Sequence, residues 1–386
     1  MTSRRTAAPA LPLVGAALAN AALGSLFAWS VLTEPLAQDL GVGPGATGSV
    51  FAVGLAVFTV GVLTAGPVAD RRGARLLIGL AAATGAGGLL LAASLPTLPA
   101  VLGGVGLCFG AANGMGYASA LHVAGTSWQT RRGLAIGIVL SAYALGAVVA
   151  APLLVAAVDA AGWRATLAGW GAVVGLLVGV AAVLVPGRDP ASPPTERQRG
   201  RPAGVAQVAL LWVVFGACSA PTLFTFAHAA DAARARGLSL QAAGASVAVL
   251  SGGNLTGRLV AGWAADRFGS VHSLLAVTVT TVAGYGLLAG IPRAGVVMPV
   301  FLLLGGTYGA VSALVPAATA DVVGPERLAG TYGKVFLSWG LAGLTAPVAG
   351  GWLVERTGRY EAAFLAGALV AAVAVAGAGG LRRAGG

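Results

Sequence analysis

The sequence predicts an all-α integral membrane protein with twelve transmembrane helices arranged as two six-helix halves. Three observations lead there. Hydrophobic residues make up 57% of the 386 and charged residues only 9%, whereas soluble domains carry roughly 25% charge to cover themselves with a solvated surface. Apolar stretches long enough to cross about 30 Å of hydrocarbon as a helix recur twelve times, and the chain repeats itself at a spacing near 196 residues. The alternating apolar and polar pattern of a membrane β-barrel is missing.

The first stretch, 12–36, follows the basic start "MTSRRTAAPA" and passes an Ala-x-Ala ending at 19–21, as a secretory signal would. The apolar run continues through "LGSLFAWSVL", so it is read as a span. Spans two and three, 45–69 and 74–94, are divided by the charged turn "GPVADRRGAR". Span four, 98–125, stops before "SWQTRRG", and spans five and six, 134–157 and 164–186, are split at "DAAGWR". "GRDPASPPTERQRGRP" is the longest polar break, rich in proline and charge and without periodicity. Six more spans follow at 205–230, 240–265, 270–291, 295–320, 330–354 and 359–381. The expected organisation is an N-terminal half 1–186, a cytoplasmic linker 187–204 and a C-terminal half 205–386. Cys108 and Cys218 both fall inside spans, so neither a disulfide framework nor a metal site is suggested.

A net charge of +11 could point to nucleic acid, but its placement does not. With the N-terminus inside, cytoplasmic segments hold Arg4, Arg5, Arg71, Arg72, Arg75, Arg131, Arg132, Arg188, Arg197, Arg199, Arg201, Arg267, Arg327, Arg382 and Arg383, fifteen in all. External loops hold six: Arg164, Arg234, Arg236, Arg293, Arg356 and Arg359. This bias sets both termini in the cytoplasm. With 61 glycines in the chain, small-xxx-small matches are weak evidence for close helix packing.

The halves repeat each other. "GPVADRRG" at 66–73 returns as "GWAADRFG" at 262–269, so Asp70 maps to Asp266 at a shift of 196. Arg132 maps to Arg327, Gly146 to Gly343 and Pro152 to Pro347, at shifts of 195, 197 and 195. Parallel repeats of this kind build transporters whose halves are related by an axis along the membrane normal. The loop Gly66, Asp70, Arg71, Gly73 and Arg75, with its weaker copy Asp266, Arg267 and Gly269, resembles the signature loop of the major facilitator superfamily, and the resemblance covers the whole chain. Physically, Asp70 can meet a helix N-terminal dipole or an arginine of the other half. The resemblance implies that this contact forms and breaks as the protein switches.

Arg258 breaks the apolar pattern of span eight. It lies with Asn254 on one helical face, the two sitting roughly 12–18 Å above Asp266 at 1.5 Å per residue, near the bilayer centre. A charge there costs about 2.5–3.5 kcal/mol on insertion scales and marks function by default. The repeat places Val62 and Phe58 at the equivalent positions, so the pair is not a need of the scaffold. All twelve acidic residues lie at span ends or in loops, Glu34 and Asp231 being nearest to apolar runs. An anionic substrate would complete an otherwise unpaired cation, and the guanidinium fork matches a carboxylate. The alternative is an arginine held by carbonyls or an internal acid.

Asn-x-x-Gly-Arg-x-x-x-Gly-x-x-x-Asp-Arg-x-Gly at 254–269 resembles the oxalate/formate antiporter family and the related monocarboxylate transporters. So do "SLFAWSVLTEPL", "SWQTRRGLAIGIVLSAYALGA" and "TYGKVFLSWGLAGLTAP". The resemblance implies that Arg258 binds the substrate carboxylate and that Tyr117, Tyr143 and Tyr308 line the pocket. Trp339 stands where the oxalate exchanger has a lysine, while Lys334 lies nearer the cytoplasmic end and is expected to snorkel. One central cation suits a monocarboxylate. Asn254 replaces the acid of proton-coupled carriers, which turns attention to His122 and His228 as titrating groups. Tyr143 and Trp339 are 196 apart, so both halves place an aromatic at one spot. These aromatics could equally be packing residues or interface anchors.

The expected function is secondary transport of a small organic anion by alternating access, in the plasma membrane, by a chain acting as a monomer with protons or a counter-anion as coupling partner. Efflux of drug-like compounds is the alternative. Neither metal-ligand clustering, nor a nucleophile constellation, nor a Gly-x-x-x-x-Gly-Lys-Ser/Thr loop is present. No catalytic residue, cofactor or nucleic-acid partner is expected.

Overall fold

The computed structural model describes residues 10–187, 204–291 and 293–385. The expected linker from 188 to 203, its arginines, and Arg4 and Arg5 lie outside the described residues. Among the described residues there is no strand. In chain order the helices are α1 (Ala10–Gly24), α2 (Ser30–Leu40), α3 (Pro44–Arg72), α4 (Ala74–Ser94), α5 (Leu98–Val101), α6 (Gly110–Ser127), α7 (Arg132–Leu184), α8 (Val205–Ala235), α9 (Leu240–Gly244), α10 (Ser246–Phe268), α11 (Ser270–Gly290), α12 (Ala294–Val323), α13 (Leu328–Thr357) and α14 (Tyr360–Gly385). A π-helical stretch, Leu102–Phe109, joins α5 to α6.

Among the described residues, ten helices are long and apolar enough to cross a membrane. The 53 residues of α7 would measure about 80 Å at 1.5 Å per residue, far beyond one bilayer. It bends at Gly162 (φ 76°, ψ 166°), at the "DAAGWR" break, and holds spans five and six. Helix α10 is absent from the ten because Asn254, Arg258 and its small residues dilute the apolar ones. Ten, plus one for the divided α7, plus α10, gives the twelve expected.

The chain forms two compact units. The first comprises Met1–Ala135, Ala142–Gly200 and Val323–Gly333; the second comprises Ile136–Ser141, Arg201–Val322 and Lys334–Gly386. Each unit therefore takes a short helix segment from the other sequence half, and α13 passes from the first unit to the second between Gly333 and the exposed Lys334.

Lipid tails are as apolar as leucine, so helices in a membrane associate through close van der Waals fit rather than hydrophobic burial. Glycine supplies that fit here. In the first unit a Cβ on Gly114 would strike the backbone of Gly61, which fixes α6 against α3. In the second, Gly253 and Gly257 of α10 face the backbone of α12, and Gly305 and Gly309 of α12 face the carbonyls of Leu250 and Asn254. The small-residue spacings that composition made unpersuasive are thus true packing seams. The turns after α3 and α10 each end on a glycine with positive φ, Gly73 at 83° and Gly269 at 84°, a conformation that side chains with a Cβ rarely adopt. Their spacing of 196 preserves the repeat in the backbone itself.

Candidate functional site

In the second unit, Arg258 is buried, at 7% exposure. Helical spacing brings Asn254 beneath it, and Nε of Arg258 donates to Asn254 Oδ1 at 3.0 Å. Nη1 donates to the main-chain carbonyl of Leu140 at 3.0 Å. The arginine is therefore not the unpaired cation expected from sequence. Leu140 comes this close because Gly137, one turn earlier in α7, has no side chain; a Cβ there would meet the Arg258 carbonyl at 2.8 Å.

A guanidinium carries five N–H groups. Two are spent on Asn254 and Leu140, and among the described residues Nη2 has no acceptor. One N–H of Nη1 and both of Nη2 remain. The end-on edge, with one parallel N–H from each, is the geometry that grips a carboxylate in two bonds.

The other expected site residues fall into two groups, one per unit. In the second unit, Trp339 Nε1 donates to the hydroxyl of Tyr308 at 2.7 Å. Phe336 stacks on Trp339 with ring centroids 4.8 Å apart, and Phe226 meets Tyr308 edge-on at 5.8 Å. In the first unit, Tyr117 and Tyr143 meet at 5.4 Å, and both pack on Phe58, at 5.5 and 5.9 Å. The Tyr143 hydroxyl donates to Asn113 Oδ1 at 2.7 Å, and the Asn113 amide donates to the Phe109 carbonyl at 3.0 Å. Phe58 is the repeat equivalent of Asn254. Where one unit places an amide under an arginine, the other places a phenyl ring among tyrosines.

Within the first unit Asp70 is the centre of a capped turn. Its carboxylate accepts from the backbone N–H of Ala329 at 3.3 Å and of Gly330 at 2.7 Å, in the first turn of α13. Of the two partners open to it, the helix N-terminal dipole is the one it meets. Gly66 permits the approach, since a Cβ there would collide with the Ala329 carbonyl. His122 Nδ1 donates to the same carboxylate at 2.9 Å, with the side chains 16% and 9% exposed. His122 thus belongs with the turn rather than with the tyrosines. Arg71, Arg72 and Arg75 are exposed. In the second unit, near Asp266, Arg267 and Gly269, the Ser270 hydroxyl donates to Asp321 at 2.6 Å.

His228 lies at a kink of α8 (φ −118°, ψ 15°). Its Nε2 donates to the Pro347 carbonyl at 3.2 Å, and its ring leans on Phe224 at 4.9 Å. A second buried arginine was missed from sequence. Arg236, placed in an external loop, donates to the carbonyls of Ile291 and Leu288, pairs through Nε with Glu361 at 3.1 Å, and lies 5.8 Å over the Phe364 ring. Nothing local in "DAARARGLS" marks Arg236 off from Arg234; partners more than fifty residues away make the difference.

A family model described as Major Facilitator Superfamily matches residues 13–229 and 210–383. The chain belongs to the Major Facilitator Superfamily. Among curated members, monocarboxylate transporter 11 of Mus musculus is 28% identical over 338 residues, covering 83% of this chain and 75% of that protein. The oxalate:formate antiporter of Oxalobacter formigenes is 24% identical over 372 residues, covering 92% and 86%. The solved structure of the superfamily transporter FucP in the outward conformation superposes with a TM-score of 0.73 at 15% identity, covering 96% of this chain and 98% of that one. This superfamily member is accordingly a multi-pass membrane transporter for a small molecule.

Proposed function

We propose that this transporter moves a small monocarboxylate across the plasma membrane, both termini being cytoplasmic, with the substrate carboxylate held end-on by Arg258. The observation that carries the reading is the unspent N–H edge of a buried arginine oriented by Asn254 and the Leu140 carbonyl. Trp339, which stands where the oxalate exchanger has a lysine, bonds to Tyr308 and brings no second cation for a dicarboxylate. Substrate charge then neutralises a cation that costs free energy whenever it is closed off from water. Tyr308 and Trp339, in the same unit as Arg258, are proposed as flat apolar walls for the carbon end of the substrate, and Tyr117 and Tyr143 as substrate-contacting residues of the first unit.

The loop Gly66, Asp70, Arg71, Gly73 and Arg75, with Asp266, Arg267 and Gly269, is the proposed conformational switch of an alternating-access cycle in a monomer. Asn254 cannot titrate, so coupling to protons would run through His122 at the Asp70 turn or through His228; without them the driving ion is a counter-anion. The test is uptake of labelled formate, lactate, pyruvate and oxalate into proteoliposomes, with and without a proton gradient, by wild type and Arg258→Ala. Saturable monocarboxylate uptake that the variant loses supports the reading. Folded wild type that carries none of these acids overturns it in favour of efflux of larger compounds.

A further inference from the structure

A groove of about 550 Å³ lies in the first unit, between the start of α4 and the last turn of α7, and is lined by Arg72, Arg75, Leu76, Gly79, Leu80, Ala182, Val183 and Gly187. It shares no residue with the proposed substrate site. Its chemistry is graded along its length. Arg72 closes one apolar span and Arg75 lies at the start of the next, so both guanidinium groups stand at headgroup level. Leu76 is the next residue of α4 after Arg75, and Gly79 and Leu80 lie about one helical turn deeper on the same face as Leu76. Leu76 is 53% exposed, Leu80 45% and Val183 71%, values that suit contact with hydrocarbon and not water.

Two glycines keep the groove open. A Cβ on Gly79 would meet nothing within 4 Å, and one on Gly187 would meet only the Arg75 side chain, at 3.6 Å. The ion pairs among described residues engage neither Arg72 nor Arg75. The adjoining sequence, 188–203, carries Arg188, Arg197, Arg199 and Arg201 against Asp189 and Glu196 and has no apolar run. Its charge and polarity suit neither the cationic mouth nor the apolar walls.

We infer that this groove is a binding site for one anionic phospholipid, its phosphate held by Arg72 and Arg75 and an acyl chain lying along Leu76, Gly79, Leu80 and Val183. Two guanidinium groups three residues apart offer a phosphate several charge-assisted hydrogen bonds, and the wall below accepts the first methylenes of a chain. A zwitterionic lipid would fill the same walls but set its own cation against the arginines. Arg72 and Arg75 flank Gly73, so an occupied groove would also tether the turn on which Asp70 sits.

The experiment is native mass spectrometry of the full chain extracted from bilayers of equal phosphatidylglycerol and phosphatidylcholine. Three variants accompany it: Arg72→Gln with Arg75→Gln, the same pair changed to lysine, and Gly79→Leu, which fills the wall without touching charge. One phosphatidylglycerol retained on wild type at least fivefold over phosphatidylcholine, lost in the glutamine pair, largely kept in the lysine pair and weakened in Gly79→Leu, is the expected result. Equal retention of the two lipids overturns the proposal. So does selective retention that survives both the glutamine pair and Gly79→Leu in protein that elutes as a single folded species. The readout is independent of transport, so it stands or falls apart from the monocarboxylate reading.

Discussion

Among the described residues of the second unit two arginines are buried, and they are opposites. Arg236 is closed: its guanidinium reaches two main-chain carbonyls, a carboxylate and a phenyl ring. Arg258 is open: it holds an amide and one carbonyl and leaves the edge that would grip an anion unspent. Burial alone therefore does not identify a binding cation. The two differ in what their guanidinium groups reach, and the proposed site rests on the Nη2 edge of Arg258, which no described residue takes up.

The comparison breaks most sharply under truncation. Arg258→Ala should lower uptake at least 100-fold, about 2.7 kcal/mol, while its melting temperature in detergent stays within a few degrees of wild type. Arg236→Ala should do the reverse, losing about 2–4 kcal/mol of stability as two charged hydrogen bonds and the pairing disappear, with KM unchanged in the surviving protein. Uptake and melting curves measured on both variants decide the matter; equal loss of stability would erase the distinction. Next in size, Arg258→Lys keeps the charge and loses the fork, so KM should rise about tenfold. Asn254→Ala frees Nε without removing the cation, and a three- to tenfold rise in KM is expected. The smallest effect is Glu361→Gln, about 0.5 kcal/mol, because Glu361 is 31% exposed and its pairing is screened.

The repeat supplies a finer test. Gly137 lies against the Arg258 carbonyl, and Gly333 lies against the carbonyl of Val62, both with a Cβ approach of 2.8 Å. The crossings are equivalent in packing and differ in what stands on them. Gly137→Ala should shift the Leu140 carbonyl and raise KM severalfold, whereas Gly333→Ala should alter turnover and leave KM in place.

Much of this was legible in the sequence, for a reason. Arg258, Asp70 and the glycines of the turns each break an apolar pattern, and a break in so uniform a background is easy to see. The internal repeat then separated scaffold from specialisation, by setting Arg258 against Val62 and Asn254 against Phe58. What stayed hidden depends on tertiary distance. The Leu140 carbonyl carries no sequence signal, since every residue has one. His122 pairs with Asp70 across fifty-two positions, and spacing from Tyr117 could not reveal that. Arg236 looked like a loop residue because its partners come from α11 and α14.

The passage of α13 from one unit to the other gives the molecule a built-in chemical handle. Lys334 is the only lysine in the chain and stands exposed on the residue after Gly333, where the helix changes units. Once the α-amine of the chain is blocked, an amine-selective dye therefore finds one side chain to acylate, with no cysteine mutagenesis. Its emission would report on a single helical turn while substrate is titrated.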